Sequence, residues 1–229
     1  MTGRIHRYGL DWIDEDELYA IVEHVFASSI EKAESSTLTT PPDPFTIATQ
    51  AVLFNQPADS MMAFERLRGV NKTISNAVGN FHQNVLGLAE GWDNLGTNGG
   101  VVDLIVRETP ASKPVHVEVK NRYNTIKASD EKDVWDKLDM LARTNGSKSY
   151  LVQIVPKEPV RYDRPWNVSG RPEREHVRCC DGATAYAWAF HRDNALEELY
   201  AAFPDILSEV LGRKYDKTGM VKYYAISMP

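Results

Sequence analysis

The sequence predicts an α/β fold, a mixed central β-sheet flanked by helices. Three observations predict it. Val101–Val106, Val115–Val119 and Ser149–Val155 are apolar runs of strand length, rich in β-branched residues. Stretches with apolar residues every three or four positions lie before, between and after them. The order helix–strand–strand–helix–strand across 59–155 puts helices on both sides of one sheet. With 229 residues, 42% of them hydrophobic and 25% charged, the chain has material for one large domain with a core. The expectation is a single domain over 1–229, with an N-terminal helical part at about 1–58 and an inserted loop at about 157–178.

Asp14 is placed to cap a first helix running to about Lys32. Acids fill its first turn, and Leu18, Ile21, Val22, Val25 and Phe26 form one stripe. After the Ser35–Pro44 loop, Asp43 can cap and Pro44 can open a short helix, Phe45–Leu53. The longest helical pattern, Asp59 to about Ala89, carries Leu67, Val70, Ile74, Val78, Phe81, Val85 and Leu88 on one face. Gly69 and Gly79 weaken it, so a break near Gly69–Asn71 is expected. Glu90–Gly100 is a turn-rich link with a short strand at Trp92–Leu95. The two apolar runs that follow pair through a hairpin loop, Arg107–Pro114, with two prolines.

Beyond the hairpin, Ser129 is placed to cap a helix from Asp130 to about Thr144, buried through Val134, Leu138, Leu141 and Ala142 and ended by Asn145-Gly146. Pro156 stops the strand Ser149–Val155. Ala183–Phe190 reads as an apolar strand or short helix. Asp193 is placed to cap a last helix, Asn194–Leu211, which Phe203-Pro204 bends or splits. The tail Val221–Met228 reads as an edge strand.

Charge excludes some functions. The net charge is −6, unlike that of a protein that coats nucleic acid nonspecifically. The acidity is local: residues 1–34 hold eight acidic and three basic side chains, a balance of −5, which leaves about −1 for the rest. Arg161–Arg178 concentrates five arginines against three carboxylates. No apolar run approaches membrane-spanning length and the N-terminus lacks a signal peptide's apolar segment, so a cytoplasmic protein without membrane contact is expected. Cys179 and Cys180, being adjacent, are expected to stay reduced. Phosphate-binding loops of the G-x-x-x-x-G-K-[ST] type, H-E-x-x-H, paired C-x-x-C and G-x-S-x-G are all absent.

The chemistry concentrates in Gly99–Asn124. Asp103 lies within an otherwise apolar run, where carboxylates are rare without a partner or a metal. Glu118 and Lys120 are two apart on a strand, so they share a face, with Val117 and Val119 opposite. In a hairpin Asp103 can join them. Two carboxylates and an ammonium suit a hard cation such as magnesium and a lysine that orients water or offsets phosphate charge. A strand pair with charges on its solvent face is the plainer alternative.

This D…E-x-K pattern resembles the PD-(D/E)xK nuclease superfamily, although Val102 stands where its proline often precedes the first Asp. N-A-V-G-N-F-H-Q (Asn76–Gln83), the following G-W-D-N-L-G turn, E-V-K-N-R-Y-N-T (Glu118–Thr125) and D-P-F (Asp43–Phe45) further resemble type II restriction endonucleases that cut GGNCC or GGWCC, over about residues 43–145. The resemblance implies a restriction-endonuclease-like core and hydrolysis of double-stranded DNA at a short palindrome, with Mg2+ and 5′-phosphate products. Asp103 and Glu118 would be metal ligands, with the Val119 backbone carbonyl, and Lys120 would position water. Glu65, an acid on the helix before the sheet, is a further metal-site candidate by resemblance, its alternative being a solvent-facing helix carboxylate.

Asn121, Arg122, Asn124 and Lys127 follow the active strand and are expected on DNA. His82 and Gln83 either approach DNA or the active site or lie at the core edge. Arg161, Arg164, Arg171 and Arg174 either contact DNA, with Arg171 and Arg174 reading bases, or pair with surface carboxylates. A palindrome implies a homodimer, and restriction implies a DNA methyltransferase as functional partner without a stable complex. A repair or junction-resolving nuclease of the same fold, and a non-catalytic DNA-binding module, are the rival functions.

Overall fold

The computed structural model describes residues 7–35, 41–96, 101–107 and 112–229. Six strands form one sheet in the order β1-β2-β3-β4-β6-β5. The strands are β1 (Trp92–Asn94), β2 (Leu104–Val106), β3 (Val115–Arg122), β4 (Ser149–Val155), β5 (Asp163–Pro165) and β6 (Val177–Asp181). β3, β4 and β6 run parallel, and β1, β2 and β5 pair antiparallel, so the sheet is mixed. The helices are α1 (Glu15–Glu34), α2 (Pro44–Phe54), α3 (Ala58–Leu86), α4 (Glu131–Asn145), α5 (Gly182–Phe190), α6 (Ala195–Leu211) and α7 (Met220–Ser227).

Strand alternation sorts the core into two layers. Val117, Val119, Val152, Ile154 and Cys180 face a large cluster built on α1, α3, α5 and α6. Leu151, Val177 and Cys179 face a smaller one with Trp135 and Leu138 of α4 and Trp166. Adjacent Cys179 and Cys180 thus point to opposite layers, and both are free and buried. Burial pushes both thiols up, Cys179 to about 12.

Asp14 caps α1 by accepting from the amides of Asp16 and Glu17, and Asp43 caps α2 by accepting from Phe45 and Thr46. α3 is continuous through Gly69 and Gly79, against the expected break. A helical glycine costs about 1 kcal/mol. Ala77, Phe81 and Val85, packed with Leu18, Val22 and Phe26 of α1, outweigh that cost. α4 ends at Gly146 in the left-handed region, φ 60°, where glycine is unstrained. Ser129 does not cap it: its hydroxyl bonds Asp130, which stands at the cap position. Trp135 and Leu138 carry its buried face, with Val134 and Leu141 only partly buried. α6 starts on Asn194 rather than on Asp193 and runs unbroken through Pro204.

Two regions differ further from expectation. The tail forms helix α7, not an edge strand. Tyr224 packs on Tyr200 of α6, ring centroids 5.0 Å apart, and β1 and β5 hold the sheet edges. The segment 157–178 is not a bare loop, since β5 and the start of β6 lie in it. Pro165 is tolerated because β5 is an edge strand. Of the expected loops, 36–40 and 108–111 lie outside the described residues. Among the described residues no helix is long and apolar enough to cross a membrane.

Candidate active site

β3 is the central element of the site. Its register against β4 sets Glu118 opposite Leu151 and Lys120 opposite Gln153, on the α4 face of the sheet. Asp103 lies just before β2 rather than inside a strand, in a bend over Val101–Asp103. The β2–β3 ladder starts at Leu104↔Val117. Beyond it, the Asp103 carboxylate takes the amide that a longer strand would have paired: Val119 N–H donates to Oδ2 at 2.7 Å. The bend and the position of the carboxylate thus have one cause.

Asp103, Glu118 and Lys120 come together. Lys120 Nζ lies 2.6 Å from Glu118 Oε1 and 4.0 Å from Asp103 Oδ2. Glu118 is buried, 7% exposed, so these are not charges on a solvent face. Lys137 of α4 is a fourth member, donating to Glu118 Oε2 at 2.7 Å. The two carboxyls are driven apart. Burial and the neighbouring Glu118 charge raise Asp103, against the Val119 amide and the lysines. Burial also pushes Glu118 up, but Lys120 and Lys137 bring it below the usual range.

Gln83 supports the site. Its amide donates to Asn94 Oδ1 at 2.9 Å and to the Asp103 carbonyl at 3.4 Å. His82 instead is buried in the core, its Nδ1 2.9 Å from the Tyr186 hydroxyl, and burial lowers it to about 4. Glu65 is buried rather than solvent-facing, held by Gln50 Nε2 at 3.0 Å and Arg68 Nε at 2.8 Å, which lower its pKa. Among the described residues no three His, Cys, Asp or Glu side chains form a metal-binding group, so Glu65 does not complete one with Asp103 and Glu118.

Asn121 faces the opposite side of the sheet from Lys120. With Arg122 it lines a cleft between α3, α6 and α7. Arg122, the last residue of β3, and Asn124 and Lys127 beyond it are exposed. Arg161 donates to the Asp193 carbonyl, Arg164 lies over the Tyr162 ring at 4.8 Å, and Arg171 holds Asp136 of α4 with two nitrogens. Arg174 is exposed.

Lys137 was not legible in the sequence. It lies nineteen positions after Glu118 on a helix read only for its apolar stripe. The available signal is periodicity: Lys137 precedes buried Leu138 and lies at the border of the stripe facing β3.

A mixed sheet of this order, with two carboxylates and a lysine at β2–β3 and helices on both faces, is a restriction-endonuclease-like core. Comparison with known proteins agrees. Residues 10–212 match the profile of the Eco47II restriction endonuclease. The type II restriction enzyme Eco47II of Escherichia coli is 33% identical over 240 residues, covering 95% of this chain and 98% of that one. The type II restriction enzyme Sau96I of Staphylococcus aureus is 25% identical over 227 residues, covering 92% and 84%. The chain belongs to the Eco47II restriction endonuclease family and is a type II site-specific endonuclease.

Proposed function

We propose that this endonuclease hydrolyses double-stranded DNA at a short palindrome of the GGNCC or GGWCC type, using Mg2+ and leaving 5′-phosphates. The observation that carries it is the meeting of Asp103, Glu118 and Lys120 beside the ordered Val119 peptide. The donor set fits a hard cation. Two crowded carboxylates, one of them raised by burial and by the other's charge, are what such an ion relieves, and one or two carboxylates suffice for magnesium. Asp103, Glu118 and the Val119 carbonyl would hold it. Bound there, it would supply Lewis acidity and a more acidic water. Glu65, engaged by Arg68 and Gln50, drops out as a ligand.

The chain's own residues do the rest. Lys120, fixed by Glu118, orients the attacking water and offsets phosphate charge. Asp103 holds the Val119 amide and so fixes the Glu118–Val119 peptide unit beside the two carboxylates. Gln83 steadies Asp103 through its backbone. Arg122 at the end of β3 and Asn124 and Lys127 beyond it grip the DNA backbone, while Arg161, Arg164, Arg171 and Arg174 supply further contacts, including base readout by Arg171 and Arg174. To read a base, Arg171 must leave Asp136.

Each protomer cuts one strand in a twofold dimer, and a DNA methyltransferase protects the host site. Pairing is supported by α2, whose described residues are all unburied. Phe45, Val52, Leu53 and Phe54, with Phe64 and Leu67 of α3, are large exposed hydrophobics. With the three aromatics at roughly 200 Å2 each, the three aliphatics somewhat smaller, and the six averaging about two-thirds exposed, they present on the order of 700 Å2, close to what one partner of a standard interface buries. Leu53→Glu would turn a sedimenting dimer into a monomer, and a wild-type monomer on DNA would sink the pairing.

Plasmid cleavage with and without magnesium, followed by sequencing of the ends, tests the function. Discrete ends at one palindrome are expected. Random ends or no magnesium-dependent cutting would refute it.

A further inference from the structure

Glu118 has two ammonium partners, and orienting one water needs only one. Lys120 faces both carboxylates, at 2.6 Å from Glu118 and 4.0 Å from Asp103. Lys137 reaches Glu118 from α4, at 2.7 Å. Its base is fixed: Leu138 beside it is fully buried, and the Trp135 indole donates to the Trp166 carbonyl at 3.1 Å. Four methylenes therefore swing from a rigid anchor. Lys137 is also only about one-quarter exposed, so its charge is poorly answered by solvent.

The local charges balance as they stand, two carboxylates against two ammoniums. A divalent cation on Asp103 and Glu118 would leave four positive charges around two negative ones. The least anchored of them is Lys137, which pairs directly with Glu118 and reaches Asp103 only through charge at longer range. The negative charge that restores balance is the phosphate of the DNA itself.

We propose that Lys137 is a movable counter-ion. It holds Glu118 while the site contains no cation, and turns to the non-bridging oxygens of the scissile phosphate once a divalent ion takes its place. This rests on the nuclease reading of Asp103, Glu118 and Lys120. It makes cation and DNA binding mutually reinforcing, since each supplies what the other displaces, and the coupling is reciprocal.

The test uses the whole chain with calcium, so that DNA is retained rather than cut. Calcium alone is titrated calorimetrically into wild type, Lys137→Met, Lys137→Arg and Asp103→Asn. Lys137→Met should bind about tenfold more tightly than wild type, because its competitor is gone; one charge-assisted pair is of that order. Binding by Lys137→Met where wild type shows none is the same result. Lys137→Arg should stay near wild type.

Duplexes carrying the mapped site, and scrambled ones, are then titrated over a salt series. In calcium, Lys137→Met should weaken both duplexes alike and shallow the salt slope by about 1. In EDTA its slope should match wild type, because Lys137 is then on Glu118. Calcium binding unchanged or weaker in Lys137→Met, or absent from both proteins, overturns the inference and makes Lys137 a structural pin. An equal slope change in calcium and EDTA overturns it too, as a permanent phosphate contact. If Lys137→Met does not fold, Lys137→Gln is put through the same series with the same criteria. Calcium binding that survives Asp103→Asn refutes the metal site itself, whatever Lys137 does.

Discussion

Asp181 and Asp103 are two aspartates of one sheet, each beside a strand end, and the fold answers them in opposite ways. Asp181 is fully buried at the end of β6. Its Oδ1 accepts from the Thr184 amide at 3.0 Å, and its Oδ2 from the Thr184 hydroxyl at 2.6 Å and the Tyr162 amide at 2.7 Å. Those donors belong to the start of α5 and the approach to β5, so the carboxylate ties elements together. Among the described residues Asp103 has one such donor, the Val119 amide. Its other neighbours are a second carboxylate and a lysine at 4.0 Å. A carboxylate satisfied by backbone amides works for stability. One left beside another acid, with ammoniums on long flexible arms, has its charge unmatched by backbone donors, and the proposed cation site depends on that.

The largest expected effect separates the two. Asp103→Asn should lower plasmid cleavage by at least about a thousandfold while the protein still folds, because it removes metal and water handling without opening a cavity. Full cleavage by the purified variant would undo the site assignment. Asp181→Ala should do the reverse. It leaves two amides and a hydroxyl without their acceptor and should cost about 3 kcal/mol of unfolding free energy, with cleavage per folded molecule retained. If Asp181→Ala stopped cleavage at full stability, the contrast between the residues would collapse.

His82 sharpens the comparison, since it is a buried titratable group of the structural kind. Its folded pKa, about 4, lies below the ordinary 6.5. Its contribution is therefore fully present above pH 6.5 and is lost as pH falls toward 4. Between pH 6.5 and 5 this amounts to about 2 kcal/mol. Urea unfolding at several pH values checks it, and His82→Gln should flatten that part of the profile. An unchanged slope in the variant would assign the acid sensitivity to other groups.

The smallest effects concern DNA contacts. Arg174→Ala should cost cognate binding about tenfold and leave scrambled DNA almost untouched, as loss of a base contact does. Lys127→Ala should weaken both and shallow the salt dependence. Affinities for both duplexes at several salt concentrations distinguish these patterns. If Arg171→Ala and Arg174→Ala both preserved the cognate-to-scrambled ratio, base readout would lie elsewhere, with Asn121–Lys127 the next place to look.

What the sequence determined by itself is local. A period of two over Val115–Lys120 decides that Glu118 and Lys120 share a face. A capping aspartate followed by an apolar stripe decides α1, a capping aspartate followed by Pro44 opens α2, and Gly146 ends α4 for a steric reason confined to one residue. The Asp103–Glu118–Lys120 grouping was legible because all three lie on one hairpin, where register follows from the pattern.

Tertiary structure decided what depends on a partner distant in the chain. α3 stays whole because α1 covers it. The tail is helical because Tyr224 finds Tyr200, and Val177–Asp181 is a strand because β4 offers a free parallel edge. Glu65 is held by Gln50 of α2 as well as by nearby Arg68, and His82 is kept from solvent by Tyr186. Lys137 enters the site only because α4 packs across β3. No spacing rule links residue 137 to residue 118, since a side chain's partner across a packed layer is set by how the layers stack and not by its distance along the chain.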